Sequence, residues 1–258
     1  MDGRYEYKMG LYDHIRQSDE KVLLARSVGK IIRENDVKSL LDVGAGEGTF
    51  ASMIAPQVNR YVAAEKREEN ARELRDRGLT VIEQNFPFEI EDKFDMVLAS
   101  HSVPDDKATI ESFIENLVST TKKDGVVCTI TFKREKDLWY EFMKGVMSEN
   151  WDKKNFDTYE MLLDVLRPYG AVAVEKIDTN IQGRNPKELF DALRFTYAGK
   201  EPRLVDLFNQ HGAEGIAWIK KHCEQGGDGF YKFPFIQYVI TLKKDGTRNS
   251  VPDPKSGT

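Results

Sequence analysis

Short apolar runs alternate with amphipathic stretches through the first half of the chain. The apolar runs predict strands near residues 38–43, 60–65, 79–83, 94–100 and 125–132. Apolar positions at helical spacing predict helices near 48–56, 67–77 and 106–121. Strands that alternate with helices are typical of a parallel sheet covered by helices on both faces, so the pattern predicts an α/β fold.

The flanking segments have a different pattern. Residues from Leu11 to Arg33 have a helical pattern with a fresh helix start after Ser18. Residues 135–170 are helical in pattern, 171–179 alternate as a strand, 186–224 are again helical, and 233–243 form a last apolar run. The polar tail after Asp245 contains glycine and proline, and we expect it to be disordered.

Composition narrows the class of protein. The chain has 258 residues, a net charge of −5, 40% hydrophobic and 31% charged residues, as in an ordinary soluble globular protein. The negative balance does not favour a nucleic-acid partner, although a local basic patch stays open. Two isolated cysteines make neither a disulfide framework nor a zinc cluster, and Cys128 lies in an apolar run that predicts a core position. With neither a signal peptide nor a membrane-spanning run in the pattern, we expect a cytoplasmic protein without membrane contact.

A glycine-rich segment, DVGAGEG over residues 42–48, follows the first predicted strand. Glycine permits a tight turn and close approach of a ligand to the backbone. Dinucleotide-binding loops use the spacing G-x-G-x-x-G, with the pyrophosphate at the helix N-terminus. Here the third glycine comes one residue earlier, and Glu47 would repel a pyrophosphate. A chance glycine-rich turn is the remaining alternative.

The segment resembles the cofactor loop of class I S-adenosylmethionine (SAM)-dependent methyltransferases, whose pattern is D/E-x-G-x-G-x-G. The resemblance implies a Rossmann-like, doubly wound, seven-stranded, mostly parallel sheet. It also implies that SAM is the cofactor and S-adenosylhomocysteine the product. The cofactor-binding positions that it assigns in this loop are Asp42, Gly44, Ala45, Gly46 and Gly48.

Later positions continue the resemblance in order along the chain. Glu65 ends the second predicted strand 21 residues after Gly44, where an acid can bind a ribose diol. The family's adenine-binding positions correspond to Asn85 and Phe86, although many relatives have Asp where this chain has Asn. Lys66, Ser100 and His101 complete the implied cofactor set. The segment Phe94-Asp95-Met96-Val97 resembles the family's FDxV motif, and Lys123-Asp124-Gly125 resembles the turn before its fifth strand.

The resemblance implies methyl transfer by in-line displacement to N or O of a small molecule. His101 is the leading candidate for a general base, because histidine as a residue type has an unperturbed pKa of about 6.5, near neutrality. His101 also follows the fourth strand, and lining of the cofactor pocket is the alternative role. His14 and Tyr12 are further catalytic candidates. For the acceptor, the candidates are Tyr7, Tyr12 and Glu20. Tyr7 and Tyr12 could attract a cation, whereas Glu20 is implied by a loose resemblance to the N-terminal segment of histamine N-methyltransferases.

These observations lead to one organisation and several functions. We expect an N-terminal helical cap over 1–36, a Rossmann-like core over 37–185, a helical substrate-side insertion over 186–230, a last strand over 231–245 and a tail over 246–258. The first function is a small-molecule methyltransferase that acts as a monomer or homodimer. The alternatives are a methyltransferase for protein or RNA and a non-catalytic SAM-binding scaffold.

Overall fold

The computed structural model describes residues 15–133, 138–147, 158–198, 206 and 208–244. Its centre is a seven-stranded sheet in the order β3-β2-β1-β4-β5-β7-β6. The pairs β1·β2, β1·β4, β2·β3 and β4·β5 are parallel, whereas β7 runs antiparallel to β5. The expected mostly parallel, doubly wound α/β fold is therefore confirmed.

The strands are β1 (Ser39–Val43), β2 (Arg60–Ala64), β3 (Thr80–Ile82), β4 (Phe94–Ser100), β5 (Thr121–Thr131), β6 (Gly170–Gly183) and β7 (Tyr231–Lys244). The helices are α1 (Glu20–Glu34), α2 (Thr49–Ile54), α3 (Glu68–Asp76), α4 (Lys107–Thr120), α5 (Leu138–Met147), α6 (Thr158–Leu166), α7 (Pro186–Ala198) and α8 (Gly212–His222). In the part of the chain that is described, no helix is long and apolar enough to cross a membrane.

The sequence pattern locates the central strands closely but misplaces the start of β5. The pattern predicts a turn over 122–125 and a strand from Gly125, whereas β5 begins at Thr121. Phe94 pairs with Thr121 and Met96 with Val126, so the residues between them bulge out of the ladder. A β-carbon on Gly125 would lie 2.8 Å from the Asp95 carbonyl oxygen, which explains why this position needs glycine.

The chain divides into two compact units. One contains 25–131, 157–175 and 238–258, and its described core includes Phe94, Met96, Leu98 and Cys128, each with no exposed surface. The core position predicted for Cys128 is confirmed. The other unit contains 1–24, 132–156 and 176–237. Its core includes an aromatic group, in which Phe142 is in edge contact with Phe190, Trp218 and Phe233.

Candidate cofactor site

The glycine-rich loop connects the end of β1 with the start of α2. Sheet order reverses beside it, because β2 and β3 follow β1 on one side whereas β4 and β5 lie on the other. In open α/β sheets such a switch point, at the carboxyl ends of the strands, is the crevice where ligands bind. The loop therefore lies at the position in the fold that is best suited to a ligand.

The loop's three glycines all have positive φ angles, which side-chain-bearing residues rarely adopt. The values are 76° for Gly44, 63° for Gly46 and 89° for Gly48. A β-carbon on Gly44 or Gly48 would collide with neighbouring side chains, whereas one on Gly46 would project into open space. Gly46 is thus the point at which the loop presents bare backbone outward.

Glu65, directly after β2, is joined to the loop by its carboxylate. One carboxylate oxygen accepts the Gly46 N–H at 3.0 Å and the other accepts the Arg67 N–H at 2.8 Å. The side chain is buried, with 6% of the residue exposed. The structure therefore brings together the loop glycine and the strand-end acid, two features that are distant in sequence.

Glu47 has a role different from the one the sequence suggests. Its carboxylate accepts hydrogen bonds from the Thr49 N–H at 2.9 Å and the Thr49 hydroxyl at 2.6 Å. An Arg77 nitrogen lies 3.7 Å from the same oxygen. The charge is thus satisfied at the start of α2 and by an arginine, so Glu47 does not present an unpaired negative charge to a ligand. These contacts weaken the predicted repulsion between Glu47 and a pyrophosphate.

Asp42 is buried within β1, with 1% of its surface exposed. Its carboxylate accepts a hydrogen bond from the Tyr61 hydroxyl of the neighbouring strand β2. Burial, together with the negative charge of Asp42, raises the pKa of Tyr61 well above its usual value. Asp42 thus stabilises the strand pair beneath the loop. Sequence reasoning missed Tyr61, because its position opposite Leu40 depends on the register of the two strands.

The segment after β3 carries the positions expected to contact an adenine. Asn85 is exposed, and Phe86 is half-buried. The Phe86 ring meets Phe88 edge-on at 5.7 Å and Phe113 of α4 at 5.3 Å between centroids. These contacts fix one side of the Phe86 ring against apolar neighbours. Lys66 is exposed beside Glu65.

The carboxyl end of β4 brings three polar residues to the switch point. Ser100 ends the strand half-buried, and His101 is exposed. His101 has a φ of 54°, and its N–H donates to the Ile130 carbonyl at 2.9 Å. The next hydroxyl, of Ser102, donates to the Val43 carbonyl at 2.5 Å. Sequence reasoning assigned Ser100 and His101 to the site but not Ser102, and only tertiary contact distinguishes its role.

Asp95, from the motif that resembles FDxV, lies at the other end of β4. Its carboxylate accepts the N–H groups of Lys38 and Ser39 at 3.1 and 2.8 Å. It also accepts the Ser39 hydroxyl and the Lys122 ammonium, each at 2.8 Å. Partial burial acts in the opposite direction, but these hydrogen bonds hold the pKa of the Asp95 carboxyl below its usual value. The motif therefore ties strand beginnings together, away from the loop.

The acceptor-side candidates are only partly described. Tyr7, Tyr12 and His14 lie outside the described residues. Glu20 begins α1 and is buried, with 6% of its surface exposed. Its carboxylate receives the Gln237 amide at 3.2 Å and the Lys21 ammonium at 3.0 Å. Among the described residues, no group of three or more His, Cys, Asp or Glu side chains is arranged to hold a metal ion.

Comparisons with known proteins establish the fold. No protein-family model and no curated protein matches the chain. A Bacillus halodurans protein provisionally named a methyltransferase matches with a TM-score of 0.51 and 17% identity, over 84% of this chain and 97% of that chain. YcgJ from Bacillus subtilis matches with a TM-score of 0.51 and 15% identity, over 86% of this chain and 99% of that chain.

A third similar structure is the N-methyltransferase NodS from Bradyrhizobium japonicum, solved with S-adenosyl-L-homocysteine. Its TM-score is 0.48 at 11% identity, over 84% of this chain and 86% of that chain. At such identities the likeness concerns the fold alone. The chain has the Rossmann-like methyltransferase fold, as the sequence motifs imply.

Proposed function

We propose that this protein is a SAM-dependent methyltransferase that transfers a methyl group to N or O of a small-molecule acceptor. One observation carries the proposal: the Glu65 carboxylate holds the Gly46 N–H at 3.0 Å at the switch point of a methyltransferase-type sheet. This pairing puts an acid able to bind ribose hydroxyls beside the loop's bare backbone.

The chemistry of the residues fits SAM. Each Glu65 oxygen accepts one backbone N–H and retains acceptor capacity for the hydroxyls of a ribose. The open space next to Gly46 leaves room for the rest of the ligand. An acid at this strand end binds a ribose in dinucleotide-binding folds as well, so Glu65 supports a ligand that contains a nucleoside. The spacing of the loop glycines is what favours SAM over a pyrophosphate-containing ligand.

The order of the strands suggests how the parts of the cofactor would be distributed. Asn85 and Phe86 follow β3, Glu65 follows β2, and the glycine loop follows β1. We assign the adenine to Asn85 and Phe86 and the ribose to Glu65. The amino-acid end then extends over the loop, with Asp42 supporting the loop from below.

When bound, SAM supplies a methyl group already activated by a sulfonium. The protein must therefore align the acceptor, exclude water and remove a proton where the acceptor is protonated. We assign proton removal to His101, whose exposed ring stands on the turn after β4. Ser100 and Lys66 complete the rim of the proposed cofactor site. His14 and Tyr12 remain further candidates for the base.

We propose that Glu20 binds the acceptor, together with Tyr7 and Tyr12. A buried carboxylate is unfavourable without partners, and Gln237 and Lys21 supply them. An acceptor ammonium would be a further favourable partner. The expected consequence is that Glu20→Gln raises KM for an amine acceptor more than it lowers kcat.

Isothermal titration with SAM and S-adenosylhomocysteine tests the cofactor assignment. We expect the wild type to bind both and Gly46→Arg to bind neither, because the new side chain fills the open space beside Glu65. Gly78→Arg is a matched control, since Gly78 also has a positive φ, of 78°, and open space around it. Wild-type protein that binds no SAM, or Gly46→Arg that binds it normally, would contradict the proposal.

Incubation with methyl-labelled SAM identifies the class of acceptor. A small-molecule methyltransferase transfers label to a metabolite extract, whereas transfer to the protein or RNA fraction indicates a macromolecular substrate. SAM binding without transfer to any fraction indicates a non-catalytic scaffold.

A further inference from the structure

We infer that Ser102 is a positioning residue, which braces the crevice between β1 and β4 and thereby holds the site for the amino-acid end of the cofactor. This inference rests on the proposed SAM site. Ser102 belongs to neither the loop nor the strand-end acids, and it acts through the groups that it holds.

A hydrogen bond from Ser102 crosses the switch point. The pairing of β1 with β4 ends at Asp42 opposite Leu98. Beyond that point the strand ends are joined by the Ser102 hydroxyl, which donates to the Val43 carbonyl at 2.5 Å. A side chain thus takes a backbone carbonyl at the position where the two strands diverge. Diverging strands form the crevice in this class of sheet, so the hydroxyl sets its width.

Ser102 also contacts the glycine-rich loop directly. A β-carbon on Gly44 would lie 2.5 Å from the Ser102 β-carbon, so the two residues are packed against each other. On its other side, the Gly44 N–H donates to the Ala64 carbonyl at 2.8 Å. The start of the loop is therefore held between β2 and Ser102. Gly44 is thus held at its φ of 76°, and with it the start of the loop.

Ser102 also belongs to the turn that carries His101. The His101 φ of 54° is uncommon for a residue with a side chain, and neighbouring structure must maintain it. The His101 N–H is held by Ile130, and the next residue is held by Val43. The Ser102 hydroxyl therefore fixes one end of the turn that presents the proposed base.

These contacts predict a selective effect on ligand binding. In the proposed arrangement, the adenosine part depends on Glu65, Asn85 and Phe86, whereas Ser102 holds the end of β1 and the start of the loop. The amino-acid end depends on that loop and on the crevice. Removing the hydroxyl should therefore weaken the binding of ligands that carry the amino-acid end and leave the binding of those that lack it unchanged.

The experiment compares S-adenosylhomocysteine with 5′-methylthioadenosine, which lacks the amino-acid end, by isothermal titration. For Ser102→Ala we expect S-adenosylhomocysteine to bind about three- to tenfold more weakly, the range for one lost hydrogen bond. The affinity for 5′-methylthioadenosine should stay within about twofold, which is the scatter expected when no contact is lost. Ser119→Ala is the matched control, because the Ser119 hydroxyl also donates to a backbone carbonyl, that of Asn116, but on the exposed face of α4.

The outcomes separate the inference from the function on which it rests. Equal weakening of both ligands, or no change in either, overturns the role of Ser102. Wild-type protein that binds neither ligand overturns the proposed function itself. If Ser102→Ala does not fold, Ser102→Cys is the second variant. Its thiol is a larger and weaker donor that cannot approach the Val43 carbonyl to 2.5 Å, so we expect the same selective loss.

Discussion

Replacing Asp95 by alanine removes the acceptor that joins the beginnings of three neighbouring strands. Asp95 belongs to β4. Its carboxylate accepts hydrogen bonds from Lys38, just before β1, and from Ser39, the first residue of β1. It accepts a further hydrogen bond from Lys122 in β5. The Ser39 hydroxyl completes a reciprocal pair, donating to the carboxylate and accepting the Asp95 N–H at 3.0 Å. The free energy of unfolding should therefore fall when the carboxylate is lost.

The magnitude follows from the number and exposure of these hydrogen bonds. A hydrogen bond to a charged group contributes about 1.5–3 kcal/mol. The four donors share one carboxylate, and water can replace it at the half-exposed Lys122, so they do not add fully. For Asp95→Ala we expect a loss of about 2–3 kcal/mol, which lowers Tm by about 4–6 °C in a protein of this size.

Urea unfolding followed by circular dichroism measures this change. Asp92→Ala is the control, because Asp92 is a nearby exposed acid whose carboxylate pairs with Arg60. We expect this substitution to lower the free energy of unfolding by less than about 1 kcal/mol. Asp95→Ala should also leave SAM affinity unchanged in folded protein. Equal stability of the two variants would refute the structural role of the motif, and a selective loss of SAM binding would relocate Asp95 to the cofactor site.

The pH dependence of the stability that Asp95 contributes gives a second test. The pKa of Asp95 is lowered in the folded protein. Its contribution is therefore fully present above the unfolded value of about 3.9, and it disappears as the pH falls through the lower folded value. The stability difference between wild type and Asp95→Asn should shrink below about pH 4. A difference that stays constant as the pH falls through this range would contradict the lowered pKa.

Three further predictions concern buried polar groups. The Thr129 hydroxyl is fully buried and has no hydrogen-bond partner among the described residues. Thr129→Val should therefore raise the free energy of unfolding in urea by up to about 1 kcal/mol, and a clear loss would contradict this assignment. Tyr61→Phe removes a donor to the buried Asp42 carboxylate and should cost about 1–3 kcal/mol. Because the pKa of Tyr61 is raised, the stability that it contributes to the wild type should be lost as the pH rises above about 10. Thermal unfolding across that pH range should show this loss in the wild type and not in Tyr61→Phe. Burial raises the pKa of the Cys223 thiol to about 11 and that of Cys128 further, so iodoacetamide at neutral pH should label both only after unfolding, as mass spectrometry would detect.

Local signals were sufficient for much of the fold. The runs at 39–43, 60–64 and 94–100 are apolar because these strands are buried in the middle of a parallel sheet, so their boundaries follow closely from the pattern. The start of β5 does not follow from the pattern, because a bulge depends on the partner strand and not on the residues of β5 alone. The helical pattern over 135–170 likewise gave no separate bounds for α5 and α6.

For this protein, the order of residues alone determined the alternation of strands and helices, the glycine loop and the acid that follows β2. These are local properties, set by hydrophobic period and by backbone conformations that glycine alone adopts readily. Tertiary structure decided which groups meet. Glu65 reaches Gly46, and Glu47 approaches Arg77. Asp95 joins the beginnings of neighbouring strands, and Ser102 joins the end of β1 to the turn after β4. Such pairings join residues far apart in sequence, so they depend on sheet order and register, which local pattern does not encode.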